Sequence, residues 1–446
     1  MYFYLFIILF LAVLIYLYDI MGTRRNRSFW ERFVLVSLIV IVGLRYHIGS
    51  DTVVYEWNFD TSATPRLDEF FNSEAIVKQP LWLFVMSFCK TVFGTFVAVQ
   101  FFHAIVFHLL AFRFIKKTTP YTFTALLFLF VLLWFANSFE VLRESIASVI
   151  FLNSLFFFQE KKYLKYALCG IVATGFHVFA SVLFILSFLV GLSNKKVLAV
   201  TCLFLYVIAQ VIDFSVVNNM VMAVLSVSGS LADKAQLYVG VENSSVVSLL
   251  GIFRWLVLDL FLPLCVIILS YEKNELFVKL VIFWLMLSQL TSKLPILYRM
   301  DNYYELIYIV LLVNVLYDVH GKKRYKRIRL YLDGGDAQRP RVHRPARRRW
   351  RVVFFRRRWR IVLRGRDGRE YQLFQNRFAH TLRRRIGQLR PILVALSVFV
   401  LVMGYRDVCR PDMNFQSAQV SYDIRYFPYK TIFQDPDPLR EAQEYY

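Results

Sequence analysis

The chain has 446 residues, 58% of them apolar and 17% aromatic, with 53 Lys+Arg against 31 Asp+Glu. With a mean hydropathy of +0.49, this excludes an ordinary soluble fold, whose apolar share runs nearer ~45–50%. The net charge of +22 suggests a nucleic-acid binder until it is located: residues 319–391 hold 25 basic and 4 acidic side chains, leaving 28 and 27 in the rest.

The apolar residues cluster in stretches whose lengths approach the roughly 20 that a helix needs to cross the hydrocarbon core. In chain order they are 2–18, 30–45, 97–113, 121–137, 140–158, 163–177, 178–192, 197–213, 249–270, 276–292, 302–318 and 391–405. The fold class expected is therefore an all-α, polytopic integral membrane protein with about twelve transmembrane helices. Stretch 2–18 has no basic region before it and no A-x-A-like site after it, so it is expected to be a retained first span. The basic loops are 21–32, 113–119, 159–165, 193–196, 271–275 and 319–391. Placing all of them on the cytoplasmic side gives twelve spans with both termini outside.

Two regions need separate treatment. Residues 81–94 (LWLFVMSFCKTVFG) are apolar enough to cross, but a crossing there would move loop 113–119 outside. They are expected to form a re-entrant or surface-lying helix. Stretch 163–192 suits two short helices meeting near His177. The expected units are a transmembrane domain at 1–318 with outer loops 46–80 and 214–248, an Arg-rich cytoplasmic segment at 319–390, a last helix at 391–405, and an outer tail at 406–446.

The five cysteines are scattered without metal-ligand or disulfide spacing and read as apolar packing groups. Ionisable residues near spans are costly, and each is a functional candidate by default. In this topology they gather at the outer face: Arg45, His47 and Asp51 after the second span, Glu140, Arg143 and Glu144 opening the fifth, His177 between the sixth and seventh, Arg299 and Asp301 before the eleventh. The spacing of Glu140, Arg143 and Glu144 predicts one shared helix face. Arginine suits a diphosphate because its fork gives bidentate donors and stays charged. Each residue also has a plain structural reading: a snorkelling Arg45, a Glu140–Arg143 ion pair, a packed His177, a turn at Asp51. His103 and His108 lie on an apolar span and read as packing, and an internal polar contact is as good a reading for Asp259 with Arg254.

LRYHIGSDTVVY resembles the Arg…Gly-(Thr/Ser)-Asp…Tyr motif of EpsG-type membrane proteins, VLRESIASVIF their Arg-Gln-x-(Ile/Leu)-Ala helix, and TGFHVFASV their Phe-His turn. LYRMDNYYE is similar to their later Arg…Tyr segment and FPYKTIF to their Pro-Tyr tail, so the resemblance covers about 1–318 plus 391–433. Glu144 departs from the pattern, which more often has Gln, and places a carboxylate beside Arg143. The Arg-rich segment looks like an insertion.

The resemblance implies a GT-C-like or Wzy-like helical bundle in a bacterial inner membrane, acting in exopolysaccharide or capsule synthesis. The implied reaction transfers a glycan from polyprenyl diphosphate to the next lipid-linked repeat unit, without metal or other cofactor. Arg45, Arg143 and Arg299 would hold the diphosphate, with Glu144 and Asp301 in support. His177, Asp51 or Glu140 would be the base, His177 being preferred because an ordinary imidazole pKa of about 6.5 suits proton transfer near neutrality. A glycolipid exporter, a sugar or acyl transferase using a lipid donor, and an inactive scaffold are the other readings.

Segment 319–391 interleaves arginines with aromatics, as in RRRWRVVFFRRRWRIVL, which by composition would suit nucleic acid. Because it is tethered to spans at both ends, anionic lipid head groups at 319–390 are the expected partner, with other polysaccharide-synthesis membrane proteins as further partners and nucleic acid not expected. The alternating stretches RWRVVFF, RWRIVL and REYQLF, with RGRDG between the last two, suit a small hairpin sheet.

Overall fold

The computed structural model describes residues 2–61, 63–72, 79–211, 256–270, 274–291, 300–317, 362–364, 370–372, 390–408, 429 and 431–434. The helices are α1 (Tyr2–Leu14, continuing as a π-helical stretch Ile15–Ile20), α2 (Arg27–Gly43), α3 (Ser50–Asp60), α4 (Pro80–Val92) and α5 (Phe96–Thr118). They continue as α6 (Thr122–Leu129), joined through a π-helical turn Phe130–Trp134 to α7 (Phe135–Phe139), then α8 (Leu142–Gln159), α9 (Tyr163–Phe176), α10 (Phe179–Leu192) and α11 (Lys195–Val211). The last are α12 (Leu262–Ser270, preceded by a π-helical stretch Leu256–Phe261), α13 (Glu275–Thr291), α14 (Asn302–Tyr317) and α15 (Arg390–Val408). Strands β1 (Val362–Arg364) and β2 (Glu370–Gln372) pair antiparallel, as RWRIVL and REYQLF suggested. Arg299, Arg254, loop 214–248, most of 319–390 and most of the tail lie outside the described residues.

A helix occupies each apolar stretch of the sequence. Among the described residues, three helices are long and apolar enough to cross a membrane by length and composition: Tyr2–Ile20, Phe96–Thr118 and Thr122–Phe139. Among the described residues this membrane protein is all-helical apart from one short two-stranded sheet. α14 is buried on nearly every side, from Tyr303 to Val315, and forms the central helix of the bundle.

Long-range contacts sort the connections into two ends. At one end Arg27 Nη2 donates to Pro120 O (2.7 Å), Asn314 Nδ2 to Thr118 O (3.1 Å), Lys279 Nζ to Gly191 O (2.9 Å) and Gln159 Nε2 to Asn274 Oδ1 (3.3 Å). The basic loops after α1, α5, α8 and α10 are there, so this is the basic end. Arg27 also meets Asp19 and Glu31, each at 3.0 Å, while Lys116 meets Glu31 at 2.7 Å. Asp19 Oδ2 in turn accepts from Thr124 N and Oγ1 at 2.8 and 2.9 Å. A knot of charge thus ties α1, α2, α5 and α6 together. At the far end Thr52 Oγ1 donates to Phe139 O (2.6 Å) and Ile432 N to Leu44 O (3.0 Å).

α9 and α10 form a tight helical hairpin about His177: Tyr166 OH donates to Phe184 O (2.8 Å), and the Tyr163 ring meets Phe188. α4 does not run from one end to the other. Its first residues reach α8 and α9 at the far end, where Leu81 lies against Gly175. Its last turn returns to the loop after α3, Lys90 Nζ donating to Thr61 O (2.7 Å) and Thr64 O (2.9 Å).

The shared face predicted for Glu140, Arg143 and Glu144 is corrected. α7 ends at Phe139, Glu140 (φ −121°, ψ −70°) and Val141 (φ −84°, ψ 54°) leave the helix, and α8 begins at Leu142. Helical spacing has no meaning across such a break, because i, i+3 neighbours coincide in space only on continuous helix.

Candidate functional site

The central helix α14 emerges at the far end with Asp301, Asn302 and Tyr303 in sequence. Asn302 Nδ2 donates to Glu144 Oε1 at 2.8 Å. The next side chain, the Tyr303 hydroxyl, lies 3.1 Å from His177 Nδ1. Glu144 and His177 are both buried, at 2% and 6% exposure. Two turns at the far end are thereby joined through one.

Arg143 stands beside Glu144 in the first turn of α8 and is only partly buried. Its Nε donates to Tyr55 OH (3.3 Å), its Nη1 to Gln79 Oε1, and its Cζ lies 5.3 Å from the Tyr55 ring centroid. Among the described residues Arg143 has no carboxylate partner, so Glu144 turns to Asn302 instead. The circuit closes through α4: Gln79 on Arg143, Leu81 on Gly175, His177 on Tyr303, Asn302 on Glu144. Four separated parts of the chain meet in one ring of contacts.

Asp51 lies in the first turn of α3 and is partly buried. It is four residues before Tyr55, so the two share a helix face. The turn leading to it needs Gly49, which has φ +92° and whose added Cβ would lie 2.2 Å from Phe139 O. Glu140 and Asp301 are also partly buried. Beside the ring, His47 Nε2 meets Glu56 at 3.0 Å. Burial first, then the Glu56 carboxylate, hold the Asp60 carboxyl above its ordinary range, with Lys90 opposing.

Arg45, expected to hold the diphosphate, lies enclosed in the structure. It is completely buried, its Nη1 donates to Val42 O (2.6 Å), and its guanidinium lies over the Phe139 ring. A strap from the tail closes it in: Thr431 pairs with Arg45 as an isolated β-bridge, and Tyr429 OH donates to Ile41 O (2.7 Å). His103 and His108 are packing groups as expected, buried and bonded, with Trp134 Nε1 donating to His108 Nε2 at 2.9 Å. Sequence reasoning missed Gln79, Asn302 and Tyr303 as site residues. The one signal for Gln79 was a polar side chain directly before Pro80 at the head of an apolar run. Among the described residues no group of three or more His, Cys, Asp or Glu is set to hold a metal ion.

A model described as the EpsG family matches residues 28–332, more than half of the chain. The chain belongs to the EpsG family. The match takes in the Gly49–Tyr55 turn, the Arg143 helix, the His177 turn and the start of α14. It stops before α15, so the strap of this EpsG-family protein lies beyond it. The family makes this a polysaccharide-related membrane protein. No curated protein and no solved structure matches the chain.

Proposed function

We propose that the protein polymerises lipid-linked oligosaccharide repeat units in exopolysaccharide or capsule synthesis. The observation that supports this most is Arg143, a partly exposed arginine whose partners among the described residues are neutral, at one end of an apolar helix bundle. A diphosphate carried on a polyprenyl chain has the matching form, an anion at the end of an apolar tail.

In this reading all twelve apolar stretches cross a bacterial inner membrane, the bundle is GT-C-like or Wzy-like, and the far end faces outward. The acceptor sugar hydroxyl attacks the anomeric carbon of the donor glycan. The bond from that carbon to the diphosphate breaks, the lipid diphosphate leaves, and a base takes the hydroxyl proton. Arg143, with Arg299, holds the diphosphate as its charge develops, the larger catalytic term. Arg45, being sealed, acts by shaping the turn before Asp51. Asp51 and Glu140, both partly exposed, suit the base better than the enclosed His177, which with Tyr303 would set the start of α14. The segment 319–390 would lie on anionic lipid head groups and fix orientation, and neighbouring synthesis proteins would be partners.

Incubating the purified protein with lipid-linked repeat units tests the reading by the appearance of a ladder of longer glycans. Polymer length unchanged in Arg143→Ala with Arg299→Ala, at normal membrane levels, would falsify it. An exporter would instead move head groups across vesicles without lengthening them. Clustering of the candidate charges at one end weighs against that, since transport needs a polar path reaching mid-membrane.

A further inference from the structure

The two groups that hold Arg143 are both neutral and both fixed by α4. Gln79 precedes Pro80, which disfavours the helical region for its backbone, and it sits outside that region at φ −151°, ψ 71°. Its own carbonyl accepts from Leu83 N (3.0 Å) as the first bond of α4. The amide that meets Arg143 Nη1 therefore projects from a backbone held on both sides. Three residues on, the buried Trp82 packs edge-on against the Tyr55 ring at 5.6 Å, bracing the phenol that meets Arg143 Nε. Leu81, between them, presses on Gly175, where a Cβ would come within 2.6 Å of its Cγ.

A carboxylate in either partner position would orient the guanidinium equally well but cancel its charge. An amide and a phenol orient it and leave the charge available for an incoming anion. Holding a side chain in its working geometry before the ligand arrives lowers the ordering cost of binding.

We propose that α4 is a positioning shelf, and that Gln79 and Tyr55 are positioning residues that aim an un-neutralised Arg143 at the anionic head of a phosphate-ester substrate. Only the identity of that anion, a diphosphate, rests on the polymerase reading.

The test uses the full chain in lipid nanodiscs, with farnesyl diphosphate as probe and with Gln79→Glu, Gln79→Met and Tyr55→Phe variants. Gln79→Glu keeps an acceptor on Arg143 and adds an ion pair, so its thermal stability should equal or exceed that of the parent. Its affinity for the probe should nevertheless fall by ~10-fold or more, with a shallower dependence on salt. Gln79→Met, which removes the acceptor but leaves the charge, should lose less, ~3-fold to ~10-fold, and Tyr55→Phe a similar amount. A purely structural role gives the opposite order, with Glu tolerated and Met damaging, and that result overturns the inference. Unchanged affinity in Gln79→Glu overturns it too, leaving polymerisation untouched. Absence of probe binding in the parent overturns both the shelf and the diphosphate assignment. Probe binding with the predicted Gln79 order, in a protein that makes no ladder from repeat units, removes the polymerase reading and leaves the shelf standing.

Discussion

Asn302 donates to Glu144 at 2.8 Å, across 158 residues of sequence. This one bond joins the first turn of α8 to the first turn of the central helix α14 and gives the carboxylate beside Arg143 a neutral partner. The acidic residue at a position where related motifs more often carry glutamine is thus compatible with a fully charged arginine beside it.

Because the contact uses a carboxylate oxygen only as an acceptor, Glu144→Gln should keep it. The change should therefore cost less than removing the side chain altogether. Glu144→Ala leaves the Asn302 amide without that acceptor and should cost about 1–3 kcal/mol. Denaturation in detergent followed by circular dichroism measures both.

Arg143 is used as a fork, one nitrogen to Tyr55 and another to Gln79. Lysine carries all its donors on one nitrogen and cannot match the planar, spaced geometry of that fork. Arg143→Lys should slow chain extension by ~10-fold or more, and Arg143→Ala by ~10²-fold to ~10³-fold, the range for losing a pre-placed electrostatic group. Glycan ladders sampled against time give the rates. Equal rates for Lys and Arg would mean that charge alone matters.

Gly175 gives α4 room to seat on α9. Gly175→Ala forces its new methyl against Leu81 and should cost about 1–3 kcal/mol by overpacking. Adding Leu81→Ala removes the obstacle, so the double variant should recover part of the loss, with a coupling of about 1 kcal/mol or more. Strict additivity in that cycle would show that the two residues do not press on each other.

The charged knot at the basic end should matter for folding and not for chemistry. Asp19 is wholly enclosed and meets Arg27 at 3.0 Å. Asp19→Ala removes one partner of a largely buried pair and should destabilise by about 3 kcal/mol. Extension rate per folded molecule should be unaltered, and a loss of rate at full folding would place this knot in the reaction.

Asp60 gives a pH dependence of known sign. Its folded pKa lies above the ordinary carboxylate value because of burial and then Glu56. Stability from this group is therefore fully present below the unfolded pKa of about 4 and is lost as pH rises through the folded value. Asp60→Asn should abolish that loss and stabilise the protein at neutral pH by a few tenths of a kcal/mol at most, roughly the scale of exposed charge pairs. Below pH ~4 the variant and parent should melt together.

What was legible in the sequence is what depends on neighbours along the chain. Apolar runs foretold a helix in each stretch, because a helix satisfies its own backbone hydrogen bonds and needs only a continuous run of suitable side chains. The basic loops after α1, α5, α8 and α10 marked one end of the bundle, and the turn at His177 was visible as a break in an over-long run. Partner choice and burial were not legible, because they are set by helices brought together from far apart. Arg45 reads as an exposed arginine until Tyr429 and Thr431 of the tail close over it. Glu140 reads as one face with Arg143 until the break at Glu140 and Val141 leaves it off the helix that carries Arg143. Whether Glu144 neutralises Arg143 was decided by Asn302 and Gln79, which tertiary packing places on either side of them. Sequence determined where the charges are along the chain; only the packed helices decided which of them remain available to a ligand, since that depends on what each one touches.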